Sequence, residues 1–230
     1  KNVTIIDTDA FKGYDSLVRF KVAEENPNYS SVDGVLLNKK KTKIISFPMN
    51  KKGHYSMPKS ISLVSANLFS GCSRFESVHL SENLSMITRN MFKDCISLKS
   101  IIVGKKVNRI HDFAFSGCTK LEKIRFLGDA PIYKPTSFKG VSPNAKVFIN
   151  PEATGFGETF AGLPVVIQER IEINTFSKSD SPFTISFESK SGSTYIIEVS
   201  HNLKQWGKIG EAQGTGSSVK FTDPRLPIVP

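Results

Sequence analysis

Apolar residues recur along the middle of this chain at a fixed offset, not at helical or simple alternating periods. Phe69, Phe92 and Phe115 are each 23 residues apart, and so are Cys72, Cys95 and Cys118. Further columns follow the same offset: Phe75, Leu98 and Leu121; Val78, Ile101 and Ile124; Leu80, Val103 and Phe126. Upstream of each Phe, Ile61 with Val64 is matched by Leu84 with Ile87 and by Val107 with Ile110. The pattern reads V-x-x-I-x-x-x-x-F-x-x-C-x-x-L-x-x-I-x-V. A fixed period of roughly 20–50 residues is the signature of stacked coils, none of which can bury its apolar face alone. The L-x-x-I-x-V portion predicts a short strand with Ile101 and Val103 turned inward. The F-x-x-C portion predicts a return side of turns or short helices, carrying a Phe spine and a Cys column through the interior. Gly71 and Gly117 before their Cys predict a tight turn, with Asp94 in that place in the middle repeat.

The first residues fit the same columns through Val3, Ile6, Phe11, Leu17, Phe20 and Val22, with Tyr14 in the Cys place. Phe11 to Phe69 is 58 residues, one repeat of 23 plus one of 35, so a longer repeat lies between. In it, residues 35–37 and 44–47 predict strands around a 38–43 turn, which puts Lys39, Lys40, Lys41 and Lys43 at a hairpin tip. After Pro164 the pattern stops. A period of two then appears at Phe183, Ile185 and Phe187 and again at Tyr195, Ile197 and Val199, separated by Ser191-Gly192-Ser193. That pair predicts a β-hairpin. Ile171 and Ile173 suggest a short first strand. Leu203 and Trp206 follow, then a turn at Gly214–Gly216 and a last strand through Val219 and Phe221. Trp206 reads as the core residue of a small β-domain in preference to a carbohydrate-stacking platform.

The strings F-S-G-C-S-R-F-E-S-V-H-L (69–80) and F-S-G-C-T-K-L-E-K-I-R-F (115–126) resemble BspA-type leucine-rich repeats. N-P-N-Y-S-S-V-D-G-V-L-L-N-K-K-K-T-K-I-I-S-F-P (26–48) resembles the hairpin-bearing repeat of that family, and the stretch through F-A-G-L-P (160–164) resembles the usual end of such an array. The resemblance covers roughly residues 1–167. It implies a β-rich leucine-rich-repeat solenoid with a parallel sheet along one side, a hairpin repeat at about 27–59 and a capping segment at 127–167. It also implies a secreted or surface-attached bacterial protein that binds host or matrix components. Y-I-I-E-V-S-H-N-L-K-Q-W (195–206), with T-D-P (222–224), resembles a fibronectin-III-like β-sandwich module appended to exported proteins. This resemblance implies a small β-domain at 168–230. Such modules end in an aromatic-rich strand that the sequence through Pro230 does not contain, which implies truncation, a missing edge strand or completion by other residues.

Composition adds little chemistry. Apolar residues make up 39%, with 17 Phe and a single Trp, enough for a core that needs no cofactor or metal. No apolar run approaches the roughly 18 residues of a membrane span. Thirty-one basic against 21 acidic residues leave a formal charge of +10, which attracts polyanions of any kind. The lysines are scattered, however, and no recognition helix or stacking platform marks a specific nucleic-acid binder. The three Cys form no C-x-x-C and have no His two to five residues away, so buried structural thiols outweigh a metal site or disulfide. His54, His79, His111 and His201 lie in no catalytic motif. Asp7, Asp9 and Asp15 miss the calcium-loop spacing, and Gly155-Phe156-Gly157 is a loop. Paired carboxylates brought together from distant segments stay open. The sequons at Asn2, Asn28 and Asn83 carry little meaning in a bacterial chain.

The expected function is therefore recognition without catalysis. In the repeat register the outward strand positions are Arg19 and Lys21, Ser77 and His79, Ser100 and Ile102, Lys123 and Arg125. Four of these eight are basic and none is acidic. Arg19, Lys21, His79, Lys123 and Arg125 are thus the candidate ligand contacts, for a protein or polysaccharide of acidic character. Two alternatives stand beside this adhesin-like expectation. The charges could simply solvate an exposed sheet, or the chain could serve as a spacer or display module of a larger exported protein.

Overall fold

Coils of 23 residues leave room for one short strand on each long side, with turns between. The computed structural model describes residues 3–7, 10–11, 13–168, 175–176, 184–192, 194–199 and 207–223. The chain divides into two compact units, residues 1–168 and 169–230. In chain order the first carries β1 (Tyr29–Val32), β2 (Val35–Asn38), β3 (Ile44–Ser46), β4 (Gly53–Ser56), β5 (Phe75–His79), β6 (Met86–Ile87), β7 (Ser100–Val103), β8 (Arg109–Ile110), β9 (Lys123–Phe126), β10 (Ile132–Tyr133), β11 (Lys146–Ile149), β12 (Thr159–Phe160) and β13 (Leu163–Ile167). A seven-stranded sheet runs β12-β13-β11-β9-β7-β5-β4. From β13 to β4 every pairing in it is parallel, and β12 closes one edge antiparallel. This is a β-solenoid of about four turns.

The other long side holds a finding the periodicity did not predict. Strands β6, β8 and β10 form a second parallel sheet, with Met86, Arg109 and Ile132 in register. The V-x-x-I segment, read only as apolar spacing, is therefore a wall strand. Its Ile87 and Ile110 point into the core. The F-x-x-C segments form turns, with Cys72, Cys95 and Cys118 each donating its N–H to the carbonyl of the Phe three residues earlier, at 3.1, 3.2 and 3.1 Å.

Between the two walls the rings form one stack. Centroids lie 4.9 Å apart for Phe69 and Phe92, 5.3 Å for Phe92 and Phe115, and 5.1 Å for Phe115 and Phe138, with interplanar angles of 8°, 1° and 18°. All but Phe138 are completely buried. Phe138 continues the 23-residue column, and Val147 and Ile149 occupy the inward strand places one period after Ile124 and Phe126. Residues 127–149 are therefore another coil of the array, not part of a cap. Closure comes afterwards, from the β12–β13 hairpin and a cluster of rings in which Phe160 touches Phe126, Tyr133, Phe138 and Phe156.

At the opposite end β1, β2 and β3 make an antiparallel sheet whose Val35, Leu36, Leu37 and Ile44 are buried. Phe47, Tyr55 and Phe69 join it to the ring stack. The first residues depart from expectation. Val3 and Tyr14 are more than half exposed, and no strand forms between residues 13 and 28. The repeat's turn bonds persist, Tyr14 N–H to Phe11 carbonyl and Leu17 N–H to Tyr14 carbonyl, and Phe11 packs edge-on against Phe20 at 4.7 Å. Phe20 donates its N–H to Gly34 and Asn50 donates to Leu17, so the segment is tied to the hairpin repeat's turns and has no neighbouring strand to pair with.

In the second unit, β14 (Thr175–Phe176), β15 (Thr184–Glu188) and β18 (Ser218–Thr222) form one antiparallel sheet, while β16 (Thr194–Val199) and β17 (Gly207–Gln213) form another. The hairpin expected from the two alternating runs is not formed, because β15 pairs with β18 and β16 pairs with β17. Ile185, Phe187, Tyr195 and Ile197 nevertheless share one small core, so the alternation located the buried faces and missed the partner. Ile171, Ile173, Phe183, Leu203 and Trp206 lie outside the described residues.

One corner of each coil requires the left-handed backbone region. Gly71, Asp94, Gly117 and Gly140 stack there with φ of 76°, 60°, 77° and 73°. A Cβ on Gly117 would meet the Asp94 carboxylate at an impossible distance. Gly117→Ala is therefore expected to destabilise the fold by about 1–3 kcal/mol, measured by urea unfolding, and to cost less in an Asp94→Gly background. Equal penalties in the two backgrounds would refute the carboxylate contact.

Candidate functional site

Strand alternation sorts each strand of the parallel sheet into buried and outward positions. Tyr55, Val78, Ile101, Ile124 and Val147 are in register on the inside and at most 1% exposed. Outside, two rows cross the strands. The first is His54, Ser77, Ser100, Lys123 and Lys146, and the second is Ser56, His79, Ile102, Arg125 and Phe148. Neither row contains a carboxylate.

Of the residues singled out in the sequence, His79, Lys123 and Arg125 lie on this face. Arg19 and Lys21 do not, because their segment forms no strand. The Cβ of Arg19 instead lies against Gly34 in the hairpin turn, within 2.8 Å of where a Cβ on that glycine would stand. Lys146 and Phe148 were missed because residues 127–167 read as a cap. The signal was available: Phe138, Val147 and Ile149 fall one period after Phe115, Ile124 and Phe126. His54 was missed because β4 belongs to the longer repeat, outside the regular register.

The side chains on this face have definite partners. Arg125 donates to Gln168 Oε1 at 2.9 Å and to Asn150 Oδ1 at 3.5 Å. The Lys123 ammonium stands 5.4 Å from the centroid of the Phe148 ring, within cation–π range. His54 bonds Ser77 Oγ through Nδ1 at 2.9 Å and Ser56 Oγ through Nε2 at 3.0 Å. His79 Nε2 is buried without a hydrogen-bond partner among the described residues. Burial lowers the pKa of both histidines; Asp33 opposes the shift at His54, while at His79 the neighbouring His54 reinforces it and Glu82 opposes it.

Flanking the face, Lys59 pairs with Glu82 at 3.3 Å and Lys99 with Glu76 at 2.8 Å. At the strands' leading ends Lys52, Arg74, Glu76, Ser97, Lys99 and Lys120 line a groove of about 310 Å³. A second groove of about 440 Å³, on the turn side, carries Arg89, Lys93 and Lys139. No group of three or more His, Cys, Asp or Glu among the described residues is arranged to hold a metal ion. No helix among them is long and apolar enough to cross a membrane.

With this geometry in hand, comparison with known proteins is informative. Residues 46–160 match six copies of the BspA type Leucine rich repeat region. The crystal structure of the pneumococcal vaccine antigen PcpA superposes with a TM-score of 0.50 at 30% identity, covering 57% of this chain and 33% of that one. A leucine-rich repeat protein from Eubacterium ventriosum gives a TM-score of 0.50 at 25% identity, covering 67% of this chain and 43% of that one. The chain thus spans less than half the length of either protein. No curated protein sequence matches it.

The three thiols sit inside the coils, away from the outer face of the parallel sheet. Cys95 Sγ donates to the Phe69 carbonyl and Cys118 Sγ to the Phe92 carbonyl, both at 3.0 Å, so these two thiols tie their coils to the ones before. All three are free and buried. Burial pushes Cys72 and Cys118 up to about 12 and Cys95 well above the ordinary thiol value. A raised folded-state pKa means that the stabilisation is complete below the unfolded thiol value of 9.0 and is lost as pH rises towards about 12. Two outcomes are expected: no reaction of native protein with Ellman's reagent at pH 8, with all three thiols reacting after denaturation, and a progressive fall in unfolding free energy above about pH 9. Rapid labelling of the native protein would contradict the burial.

Proposed function

Because this chain belongs to the BspA-type leucine-rich-repeat family, we propose that it is an exported bacterial recognition protein that works without catalysis. It uses the outer face of its parallel sheet to hold an acidic protein or polysaccharide. The observation carrying this reading is the two outward rows, which bear Lys123, Arg125 and Lys146 and no carboxylate. The inward positions are committed to stacking, so the outward rows are free to vary without cost to the core. A surface of one charge sign raises the encounter rate with oppositely charged partners and makes binding salt-dependent. The likeness to a pneumococcal vaccine antigen fits a role at the cell exterior.

The alternative is a spacing or display segment of a larger exported protein, a role that a stacked array can fill by its rigidity alone. In that case binding would reside elsewhere in the full-length product.

Lys123→Glu with Arg125→Glu separates the two. Tested on an array of sulfated, carboxylated and neutral glycans and on immobilised extracellular-matrix proteins, the double variant is expected to lose at least about tenfold in affinity for the ligands the native chain binds. Native circular dichroism should be unchanged. Undiminished binding would remove this face as the recognition surface.

A further inference from the structure

The face is not uniform. Its cations gather where β9 and β11 meet, and three features there point to one kind of partner. Lys123 and Lys146 stand directly opposite each other on adjacent strands, an arrangement in which like charges repel. Three cations elsewhere in the unit are neutralised, Lys51 by Asp33, Lys59 by Glu82 and Lys99 by Glu76. Arg125 differs again: its guanidinium is held by the side-chain amides of Gln168 and Asn150, which fix its orientation and leave its charge uncompensated. Phe148, half-buried in the outward row, has the Lys123 ammonium 5.4 Å from its ring, lies two residues after Lys146 on β11 and pairs with Arg125, and Ile102 borders Arg125 on the next strand.

We propose that this corner is a subsite for one acidic sugar unit of an extended anionic polysaccharide, its C–H face on the Phe148 ring and its anionic group between Lys123, Lys146 and Arg125. The inference rests on the sheet-face reading above and narrows it. A polypeptide that binds by adding a strand needs a free sheet edge for its main-chain hydrogen bonds. Strands β5, β7, β9 and β11 are paired on both sides, so this face offers side chains alone. A sugar needs only those: an apolar floor, cations for its acid group, and hydroxyls for its own hydroxyls. Ser100 and Ser77 continue the first row away from Lys123, with His54 beyond them bonded to Ser77 and Ser56. At about 4.8 Å per strand the row from Lys146 to His54 spans about 19 Å, enough for several consecutive sugars lying across the strands.

The experiment uses the full chain and four probes: polygalacturonate, a heparin oligosaccharide, neutral dextran and poly-L-glutamate, each by titration calorimetry at two salt concentrations. The expected result is salt-sensitive binding of the two acidic polysaccharides, weaker binding of poly-L-glutamate and none of dextran. Phe148→Ala should weaken polygalacturonate roughly five- to tenfold, leave poly-L-glutamate unchanged and be rescued by Phe148→Tyr. Lys146→Gln should weaken polysaccharide binding yet raise the melting temperature of the free protein by about 1–2 °C as the lysine pair is relieved. Equal affinity for poly-L-glutamate, or full glycan binding by Phe148→Ala alongside its loss in the Lys123→Glu, Arg125→Glu variant, overturns the sugar subsite and leaves the face reading intact. Full polygalacturonate binding by that double variant overturns the face reading itself, and no binding of any acidic probe overturns both.

Discussion

The first unit depends on one packing constraint: a side chain in one coil has its counterpart in the next coil as its main neighbour. Parallel strands bring successive coils to within about 5 Å, and ring centroids 4.9 to 5.3 Å apart in the Phe69–Phe138 stack sit at that spacing. A ring of another shape would leave a void on one side or clash on the other. The same spacing brings Cys95 and Cys118 within reach of the preceding coil's carbonyls and packs the glycine corner against Asp94. Each coil therefore contributes little stability alone and much through its two neighbours, as in other quasi-one-dimensional folds.

Function follows from what stacking leaves over. Inward positions are fixed by the columns, turn corners by their backbone conformation, and strand backbones by pairing with the neighbouring coils. The outward rows are the positions released from these duties, and on β9 and β11 they are filled with cations and a ring. A rigid sheet also holds those side chains at set intervals, so a repeating ligand of the proposed kind would meet them without the entropic cost of ordering loops. The Arg125 tether to Gln168 and Asn150 is the same economy at the level of one side chain.

Much of this architecture was legible in the chain itself. The 23-residue columns identified the ring stack, the thiols and the inward strand residues, because in a stacked array the equivalent positions are also physical neighbours. Three things were obscured. The second sheet was hidden because strands of two residues, such as Met86–Ile87, are too short to show alternation. The coil at 127–149 was hidden because Val141 stands in the Cys place and Ala145 comes one residue late for the Leu place. Arg19 and Lys21 followed the column register, but a strand needs a partner, and the hairpin repeat offers that segment turns instead. In the second unit alternation found the buried residues Ile185, Phe187, Tyr195 and Ile197, whereas strand pairing is set by the whole sheet and so escaped a local pattern.

The most direct test of the stacking account is hydrogen exchange on a Phe92→Ala variant, followed by mass spectrometry alongside equilibrium unfolding. Removing the ring should cost about 3–5 kcal/mol and speed exchange together in β5, β7 and β9, on both sides of the altered coil. A loss under about 1 kcal/mol, or faster exchange confined to the coil that carries residue 92, would contradict it.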